Sequence, residues 1–388
     1  MAKIDDSVKK KVPELRFKGF TDEWEERKLG DLGSVAMNKR IFKEQTSDVG
    51  DIPFYKIGTF GGTPDAFISR DLFEEYKSKY QYPEVGDILI SASGSIGRTV
   101  VYRGADEYFQ DSNIVWLKHD SQLVNSFLKQ FYSIVKWQGL EGSTIKRLYN
   151  KNILETPITL PSPEEQTKLG EFFEKLDNLI AANQRKINLL KEQKKGYLQK
   201  MFPKNGEKVP KLRFAGFADD WKDRKLGDIT KISTGKLDAN AMVENGKYDF
   251  YTSGIKKYRI DVAAFEGPSI TIAGNGATVG YMHLADNKFN AYQRTYVLQE
   301  FLVDRSFIFS EIGNKLPKKI KQEARTGNIP YIVMDMLTEL KVSIPQNDTE
   351  QKKIGDFFKQ LDDTIALHQR KLELLKEQKK GFLQKMFV

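Results

Sequence analysis

The second half of this 388-residue chain repeats the first. The short repeat, VPELRFKGFTDEWEERKLGD at 12–31, returns at 209–228 as VPKLRFAGFADDWKDRKLGD, with 14 of 20 positions identical. The long repeat, 165–202, returns at 350–387 with 26 of 38 positions identical. Between the repeats the two halves show little similarity. Two copies of one module with different inserts predict a pseudo-two-fold frame that carries two unlike domains.

The long repeat predicts a helix of the coiled-coil type. Its apolar residues recur in alternating steps of four and three, which is heptad spacing. The seam of the first copy consists of Leu169, Phe173, Leu176, Ile180, Asn183, Ile187, Leu190, Lys194, Tyr197 and Met201. The seam of the second copy consists of Ile354, Phe358, Leu361, Ile365, His368, Leu372, Leu375, Lys379, Phe382 and Met386. Each copy would form a rod about 55 Å long.

The order of the segments predicts how the two rods pair. The second insert begins just after the first rod ends and finishes where the second rod begins. Because the ends of a compact domain usually lie close together, the start of the second rod should lie beside the end of the first. The rods are therefore predicted to be antiparallel. Asn183 and His368 would face each other and fix the register, unless both side chains turn to solvent.

The inserts are strand-rich. The stretches GDILISASGSIGRTVVYRG from Gly86 and PSITIAGNGATVGY from Pro268 combine β-branched and small residues with glycine turns. The fold class predicted is α+β: two mixed, strand-rich domains joined by two long helices in an antiparallel coiled coil. The predicted divisions are an N-terminal arm with the first short repeat at 1–23, a first domain at 24–160, a central helix and turn at 161–208, the second short repeat and second domain at 209–344, and a C-terminal helix at 345–388.

Composition narrows the possible chemistry. The chain has no cysteine, which excludes disulfides, zinc knuckles and thiol nucleophiles. Its net charge of +9 is compatible with a polyanionic partner, and also with lysine-rich surfaces that bind nothing. No apolar run is long enough to cross a bilayer, so we expect a cytoplasmic protein.

The chain resembles the specificity subunits of type I restriction-modification systems along nearly its whole length. The resemblance is carried by LRFxGFxxxWxxRKLGD at Leu15 and Leu212, GDILISxSGSIG at Gly86, ITIAGNGATVGY at Ile270, and the twice-given EQxKxGxFFxxLDxxI…QRKxxLLKxQKKGxLQKMF helix. It implies that each insert is a target recognition domain and that the helices are the spacer between them. It also implies that two methyltransferase subunits dock on the pair.

The resemblance implies further a chain that is not itself an enzyme. S-adenosylmethionine, ATP and magnesium would be bound by partner subunits, and restriction subunits would translocate and cleave DNA. A stiff rod carrying two unlike domains should read an asymmetric, bipartite target in double-stranded DNA, with the two domains about one duplex turn apart. The sequence shows neither a GxxxxGK[ST] loop nor a [DN]PP[YF] tetrapeptide. A stand-alone DNA-binding regulator and a protein-scaffolding adaptor remain alternatives.

Candidate DNA contacts lie at glycine turns and nearby polar or basic residues. Backbone amides of such turns can approach phosphates, arginine can pair with guanine, and asparagine or glutamine with adenine. In the first domain the candidates are Ser91, Ser93, Ser95, Arg98, Gln110 to Asn113, Lys146 and Arg147. In the second domain they are Asn275, Gly276, Thr278, Asn290, Gln293 and Arg294, with a basic run of Lys315, Lys318, Lys319, Lys321 and Arg325. Ordinary hairpins and a solvated lysine face are the alternatives. Trp24 and Trp221 are interpreted as packing anchors.

Overall fold

The computed structural model describes residues 12–140, 146–204, 206–323 and 330–388. The chain divides into two compact units. The first unit contains Met1–Ala182 and Leu372–Val388, and the second contains Asn183–Lys371. Both long helices therefore contribute one part to each unit, so each strand-rich domain shares its unit with a segment of both helices.

The first unit contains a four-stranded main sheet, a three-stranded small sheet and a two-stranded ribbon. Its strands are β1 (Glu25–Lys28), β2 (Gly33–Met37), β3 (Ile52–Tyr55), β4 (Phe67–Ile68), β5 (Ile88–Ser91), β6 (Thr99–Val101), β7 (Tyr108–Phe109), β8 (Ile114–His119) and β9 (Pro157–Leu160). Its helices are α1 (Leu29–Leu32), α2 (Arg70–Lys79), α3 (Asn125–Ile134), α4 (Asn150–Leu154) and the first part of α5 (Pro163–Met201). The main sheet has the order β2-β8-β5-β6, the small sheet the order β4-β3-β7, and β1 pairs with β9.

The second unit has the same plan. Its strands are β10 (Lys222–Lys225), β11 (Lys231–Thr234), β12 (Tyr248–Tyr251), β13 (Tyr258–Ile260), β14 (Phe265–Glu266), β15 (Ser269–Ala273), β16 (Met282–Ala285), β17 (Lys288–Ala291), β18 (Thr295–Gln299) and β19 (Lys341–Ile344). Its helices are α6 (Leu226–Ile229), α7 (Arg305–Glu323), α8 (Met334–Thr338) and the first part of α9 (Asp348–Met386). The main sheet has the order β11-β18-β15-β16, the small sheet the order β13-β12-β17-β14, and β10 pairs with β19.

A fully buried inner strand lies in the middle of each main sheet. All four residues of β5 (ILIS) and all five of β15 (SITIA) are buried. Such continuous apolar runs suit a strand that is covered on both faces. Each inner strand leads directly into one of the glycine turns noted in the sequence, so the sheet holds the base of the turn rigidly.

The two helices run antiparallel within each unit. In the first unit the Phe172 ring lies edge-on to Phe382 at 5.1 Å, and Asp177 Oδ1 accepts a hydrogen bond from Lys379 Nζ at 2.6 Å. Residue numbers thus rise along α5 as they fall along α9. In the second unit the equivalent contacts are Tyr197 with Phe357 and Lys194 with Asp362. Among the described residues every member of both heptad seams is buried or half-buried. The predicted fold class is confirmed.

An arginine of each short repeat fastens it to the first turn of a long helix. Arg16 donates two hydrogen bonds to the Glu165 carboxylate, at 2.7 and 2.8 Å, and Arg213 donates two to Glu350, at 2.6 and 2.8 Å. Both glutamates are buried. Hydrogen bonding to the glutamate raises the pKa of the arginine guanidinium in each pair. Two parallel charge-assisted bonds fix orientation as well as distance.

Each tryptophan of the short repeats is buried against the end of a long helix. Trp24 packs edge-on to Phe127 and Phe387, and Trp221 packs in the same way on Phe202. The interpretation of both tryptophans as packing anchors is confirmed. Since these rings bury large apolar areas at the junction, they join each domain firmly to its helices.

Candidate DNA-recognition surfaces

The glycine turn of the first domain is a tight loop between β5 and β6. Ser91 N donates to Arg98 O at 2.9 Å, and Gly97 N donates to Ser91 O at 3.0 Å. Gly94 and Gly97 have φ values of +64° and +82°, which a residue with a Cβ rarely adopts. The conformation requires glycine at these positions and leaves the tip of the turn close to solvent.

Hydrogen bonds bring the three candidate segments of the first domain together. Ala92 N donates to Asn113 O at 2.7 Å, and Ala92 O accepts from Leu148 N at 2.8 Å. Ser93 Oγ donates to Asn113 Oδ1 at 2.9 Å, and Ser93 forms an isolated bridge with Arg147. We call the group formed by residues 93–98, 110–113 and 146–147 the first recognition surface.

The side chains of this surface differ in their access to solvent. Ser95, Arg98 and Lys146 are exposed, whereas Ser93, Gln110, Asn113 and Arg147 are half-buried. Gln110 Oε1 accepts from Ile57 N at 2.9 Å, so it holds the loop after β3 in place. Arg147 lies over the Tyr149 ring, with its guanidinium carbon 5.7 Å from the ring centroid.

Ser91 does not belong to the accessible group. Its side chain is buried, its hydroxyl donates to Ser95 O, and it accepts from Arg98 N at 3.0 Å. These bonds close the turn from inside. The residue therefore shapes the first recognition surface, and a direct DNA contact from it would require the turn to open.

The second domain repeats the turn with different side chains. Ala273 N donates to Tyr281 O at 2.8 Å, and Gly280 N donates to Ala273 O at 2.7 Å. Gly276 and Gly280 have φ values of +83° and +82°. Gly274 takes the place of Ala92, because it donates to Arg294 O at 2.8 Å and accepts from Ile332 N at 2.7 Å.

The second recognition surface consists of residues 252–257, 275–281, 292–294 and 331. Gln293 and Arg294 are exposed, and Asn275, Gly276 and Thr278 are half-buried. Asn275 accepts a hydrogen bond from the Ser253 hydroxyl, and Thr278 donates to Ser253 O. The loop after β12 is thereby held against the turn.

Asn290 lies outside this surface. It is buried, donates to Val262 O at 2.9 Å and accepts from Ala291 N at 2.9 Å. Its amide ties β17 to the segment before β14 and bonds to the backbone of the next residue. The predicted pairing of Asn290 with a base is therefore wrong for this conformation, because both ends of the amide are used internally.

The basic run also lies away from the turn. On α7 the apolar residue Ile320 faces the turn, since a Cβ built on Gly280 would lie 2.7 Å from Cδ1 of Ile320. Lys315, Lys318 and Lys319 line a separate groove of the second unit, and Lys321 is exposed. Lys315 pairs with Glu311 at 3.6 Å and Lys319 with Glu323 at 2.5 Å. Arg325 lies outside the described residues.

Several residues of the second recognition surface were not predicted from the sequence. Lys257 lies over the Tyr251 ring, its ammonium 5.3 Å from the centroid, and Lys256 lies beside Tyr258. Tyr331 is 57% exposed and forms a bridge with Asn275. The loops after β3 and β12 could have been found from the sequence, because each follows a Phe-Tyr pair, at 54–55 and 250–251.

An aromatic cluster lies beneath part of the second surface. The His283 ring is 4.9 Å from Tyr281 and 5.1 Å from Tyr251 between centroids. Burial lowers the pKa of His283 and raises that of Tyr251 to about 12. Both side chains are therefore neutral near pH 7, and the positive charge of this surface comes from Lys256, Lys257 and Arg294.

Among the described residues, no group of three or more His, Asp or Glu side chains is placed to hold a metal ion. No helix in the same part of the chain has the length and apolar character needed to span a membrane.

Comparisons with known proteins agree with these features. The profile of the type I restriction modification DNA specificity domain matches residues 21–192 and 218–377. A putative type I restriction enzyme specificity subunit of Haemophilus influenzae is 57% identical over 152 residues, which is 39% of this chain and 40% of that protein. The EcoDI type I restriction enzyme specificity subunit of Escherichia coli is 35% identical over 167 residues, or 42% of this chain and 37% of that protein. The matches thus span about two fifths of the length of these relatives.

The fold also resembles a solved structure. The crystal structure of the type I restriction-modification system S subunit from M. genitalium superposes with a TM-score of 0.70, at 18% sequence identity. The match covers 97% of this chain and 99% of that one. At this identity the likeness is evidence for the fold alone.

Proposed function

This chain belongs to the type I restriction-modification DNA specificity family, and we propose that it selects an asymmetric, bipartite DNA target for two methyltransferase subunits. The family profile matches both halves of the chain. In the proposed mechanism each recognition surface reads one short segment of double-stranded DNA. The intervening base pairs are not read.

The observation that carries this proposal is that both domains keep one turn and change the side chains on it. At positions equivalent by their hydrogen bonds, Ser93 is replaced by Asn275 and Asn113 by Arg294. The bridge partner Arg147 is replaced by Tyr331. Because base edges are read by the donors and acceptors of side chains, equal backbones with unequal side chains should read different sequences.

Positive groups surround both turns. Arg98, Lys146 and Arg147 flank the first, and Lys256, Lys257 and Arg294 belong to the second surface. Phosphate contacts from such groups position a protein on DNA, while the half-buried amides and hydroxyls beside them supply the discrimination. Each surface therefore combines the two kinds of contact that sequence-specific binding needs.

Exposed leucines on the long helices support docking of the methyltransferase subunits. In the first unit Leu179 and Leu374 are about half exposed; in the second unit Leu189 is about half exposed and Leu367 about two thirds exposed. Leu189 and Leu374 occupy equivalent places in the long repeat. Exposed apolar side chains on a regular helix mark a protein interface, and repetition provides one such patch for each partner copy.

The partner subunits, and not this chain, would carry out methylation and cleavage. The methyltransferase subunits would bind S-adenosylmethionine and flip the target adenine out of the duplex. Restriction subunits would bind ATP and magnesium. This chain would bind no cofactor and act in the cytoplasm, as the component that decides where methylation and cleavage occur.

The experiment is reconstitution with and without the methylating partner. The purified chain alone should neither methylate nor cleave DNA, and addition of its methyltransferase subunit should give methylation at one bipartite sequence. Methylation by the lone chain would contradict the proposal. Full affinity and specificity without the partner would favour a stand-alone regulator, and binding that ignores salt would favour a protein-scaffolding adaptor.

A further inference from the structure

A basic groove of 1060 Å³ lies in the second unit, on the side of α7 that faces away from Gly280. One wall is the second half of α7, and the other is formed by the end of α5 with the segment that follows it and by the start of β19. Its charged lining residues are Lys204, Lys315, Lys318, Lys319 and Lys341 with Asp223 and Glu339.

The acidic residues of the groove are already engaged. Asp223 Oδ1 accepts from the Ser343 hydroxyl at 2.7 Å, and Glu339 pairs with Lys225 at 2.7 Å. Lys204, Lys318 and Lys341 are exposed, and no ion pair engages them within the part of the chain that the structure describes. Glu339 is neutralised by its lysine, whereas Asp223 keeps its charge, so three unpaired lysines against one carboxylate leave the groove positive.

The groove belongs to one unit because α7 is longer than its counterpart. Phe127 on α3 and Phe307 on α7 are equivalent, since each packs on the last phenylalanine of a long repeat, Phe387 or Phe202. Beyond this point α3 ends at Ile134, whereas α7 continues to Glu323. Lys315, Lys318 and Lys319 lie on this extension, which α3 lacks. A ligand that binds both units in the same way would therefore not explain why these lysines are present.

We propose that this groove holds the phosphodiester backbone of DNA that flanks the segment read by the second recognition surface. The inference rests on the proposed function. Two observations favour DNA over an acidic protein segment. One helix, α7, carries the groove on one face and Ile320, which supports the Gly280 turn, on another, so the groove and the second recognition surface are held by the same rigid element. Its charges are lysines, which attract phosphates as point charges without reading bases.

A triple variant, Lys204→Gln with Lys318→Gln and Lys341→Gln, tests the groove in the full chain bound to its methyltransferase subunits. The matched control replaces Lys211, Lys247 and Lys288 by Gln. These are exposed lysines of the same unit; Lys247 directly precedes β12 and Lys288 begins β17, at the ends of these strands away from the turn. Thermal unfolding checks that both variants are folded.

DNA affinity is measured against salt on two duplexes, one that ends at the second target segment and one that continues past it. On the longer duplex the triple variant should bind about 10- to 100-fold more weakly, and the slope of log K against log salt should fall by about 2 to 3. On the shorter duplex it should match the wild type. The ratio of target to non-target affinity should not change.

Equal affinity and equal slope for wild type and triple variant on the longer duplex would overturn the groove proposal. Loss of methyltransferase assembly with an unchanged salt slope would also overturn it, and would assign the groove to an acidic protein segment. Failure of the proposed function is distinct, because then the wild-type complex itself would show no preference for one bipartite sequence.

Discussion

Nδ1 of His368 lies 3.0 Å from Oδ1 of Asn183, at equivalent positions of the two long repeats. The sequence had left open whether these side chains meet or turn to solvent, and they meet. A polar pair between apolar layers of the seam is satisfied only in one register, since a shift of either helix would bury an amide or an imidazole among apolar side chains. Together with the Lys194–Asp362 ion pair, it specifies how the helices align in the second unit.

A double-mutant cycle tests this pair. Replacing His368 by Leu removes the hydrogen-bond partner of Asn183 Oδ1 and should lower the free energy of unfolding by about 1 to 3 kcal/mol. The double variant with Leu at 183 and 368 should recover most of that loss. Equilibrium unfolding in urea gives the coupling free energy between the two side chains, which we expect to be at least about 0.5 kcal/mol in magnitude. Additive single effects would show that the two groups do not interact.

Removal of Arg213 should destabilise the second unit. The Arg213→Ala variant leaves the Glu350 carboxylate buried without its bidentate partner, which typically costs about 3 to 5 kcal/mol. Arg16→Ala should act equally on the first unit through Glu165. Hydrogen exchange measured by mass spectrometry can assign each loss to its unit. Arg27→Ala is the control, because Arg27 pairs with the exposed Glu25 and should change stability by less than about 1 kcal/mol.

The stability of the second unit should depend on pH through Glu311. Burial raises the pKa of this carboxyl to about 7, against a partly compensating Lys315. Because the pKa of Glu311 is higher in the folded state than the ordinary value of 4.5, the folded state holds the proton more tightly. The resulting stability is fully present below about pH 4.5 and is lost as the pH rises through 7. Glu311→Gln should therefore be more stable than wild type at pH 8.5, by about 3 kcal/mol, and nearly equal to it at pH 4. Parallel unfolding curves at all pH values would contradict this.

Substitutions on the two recognition surfaces should act on different parts of the target. Arg98→Ala should weaken discrimination in the segment read by the first domain, and Arg294→Ala in the segment read by the second. If the side chain contacts a base, the loss should be about 1 to 3 kcal/mol at one position. Binding to two DNA libraries, each randomised in one segment, measures this. An equal effect of one variant on both segments is the result that would contradict separate reading.

Charged residues at the exposed leucines should remove one docked partner each. Leu374→Asp places a carboxylate in the apolar patch of the first unit, and Leu189→Asp does so in the second. Native mass spectrometry should show complexes with one methyltransferase subunit in place of two. Leu302→Asp is the control, since Leu302 is exposed in the second domain, off the long helices. Two bound subunits in every variant would place the interface elsewhere.

The repeats and the helix pattern predicted the architecture well, because they depend on short periods and on identity between two copies. The orientation of single polar side chains could not be predicted. Ser91 and Asn290 face inward because of how β5 and β17 pair, which depends on residues far away in the chain. The phase of α7 turned Ile320, and not the lysines, toward the turn. Tyr331 was not predicted because its bridge partner, Asn275, lies 56 positions earlier in the chain.

The most direct measurement is a genome-wide map of methylated adenines in cells that carry this chain with its methyltransferase subunit, compared with cells in which the gene is deleted. We predict one asymmetric motif made of two short specified segments and a gap of unspecified bases, present only when the gene is intact. A single continuous motif, or a methylation pattern that does not change on deletion, would contradict reading by two unlike domains.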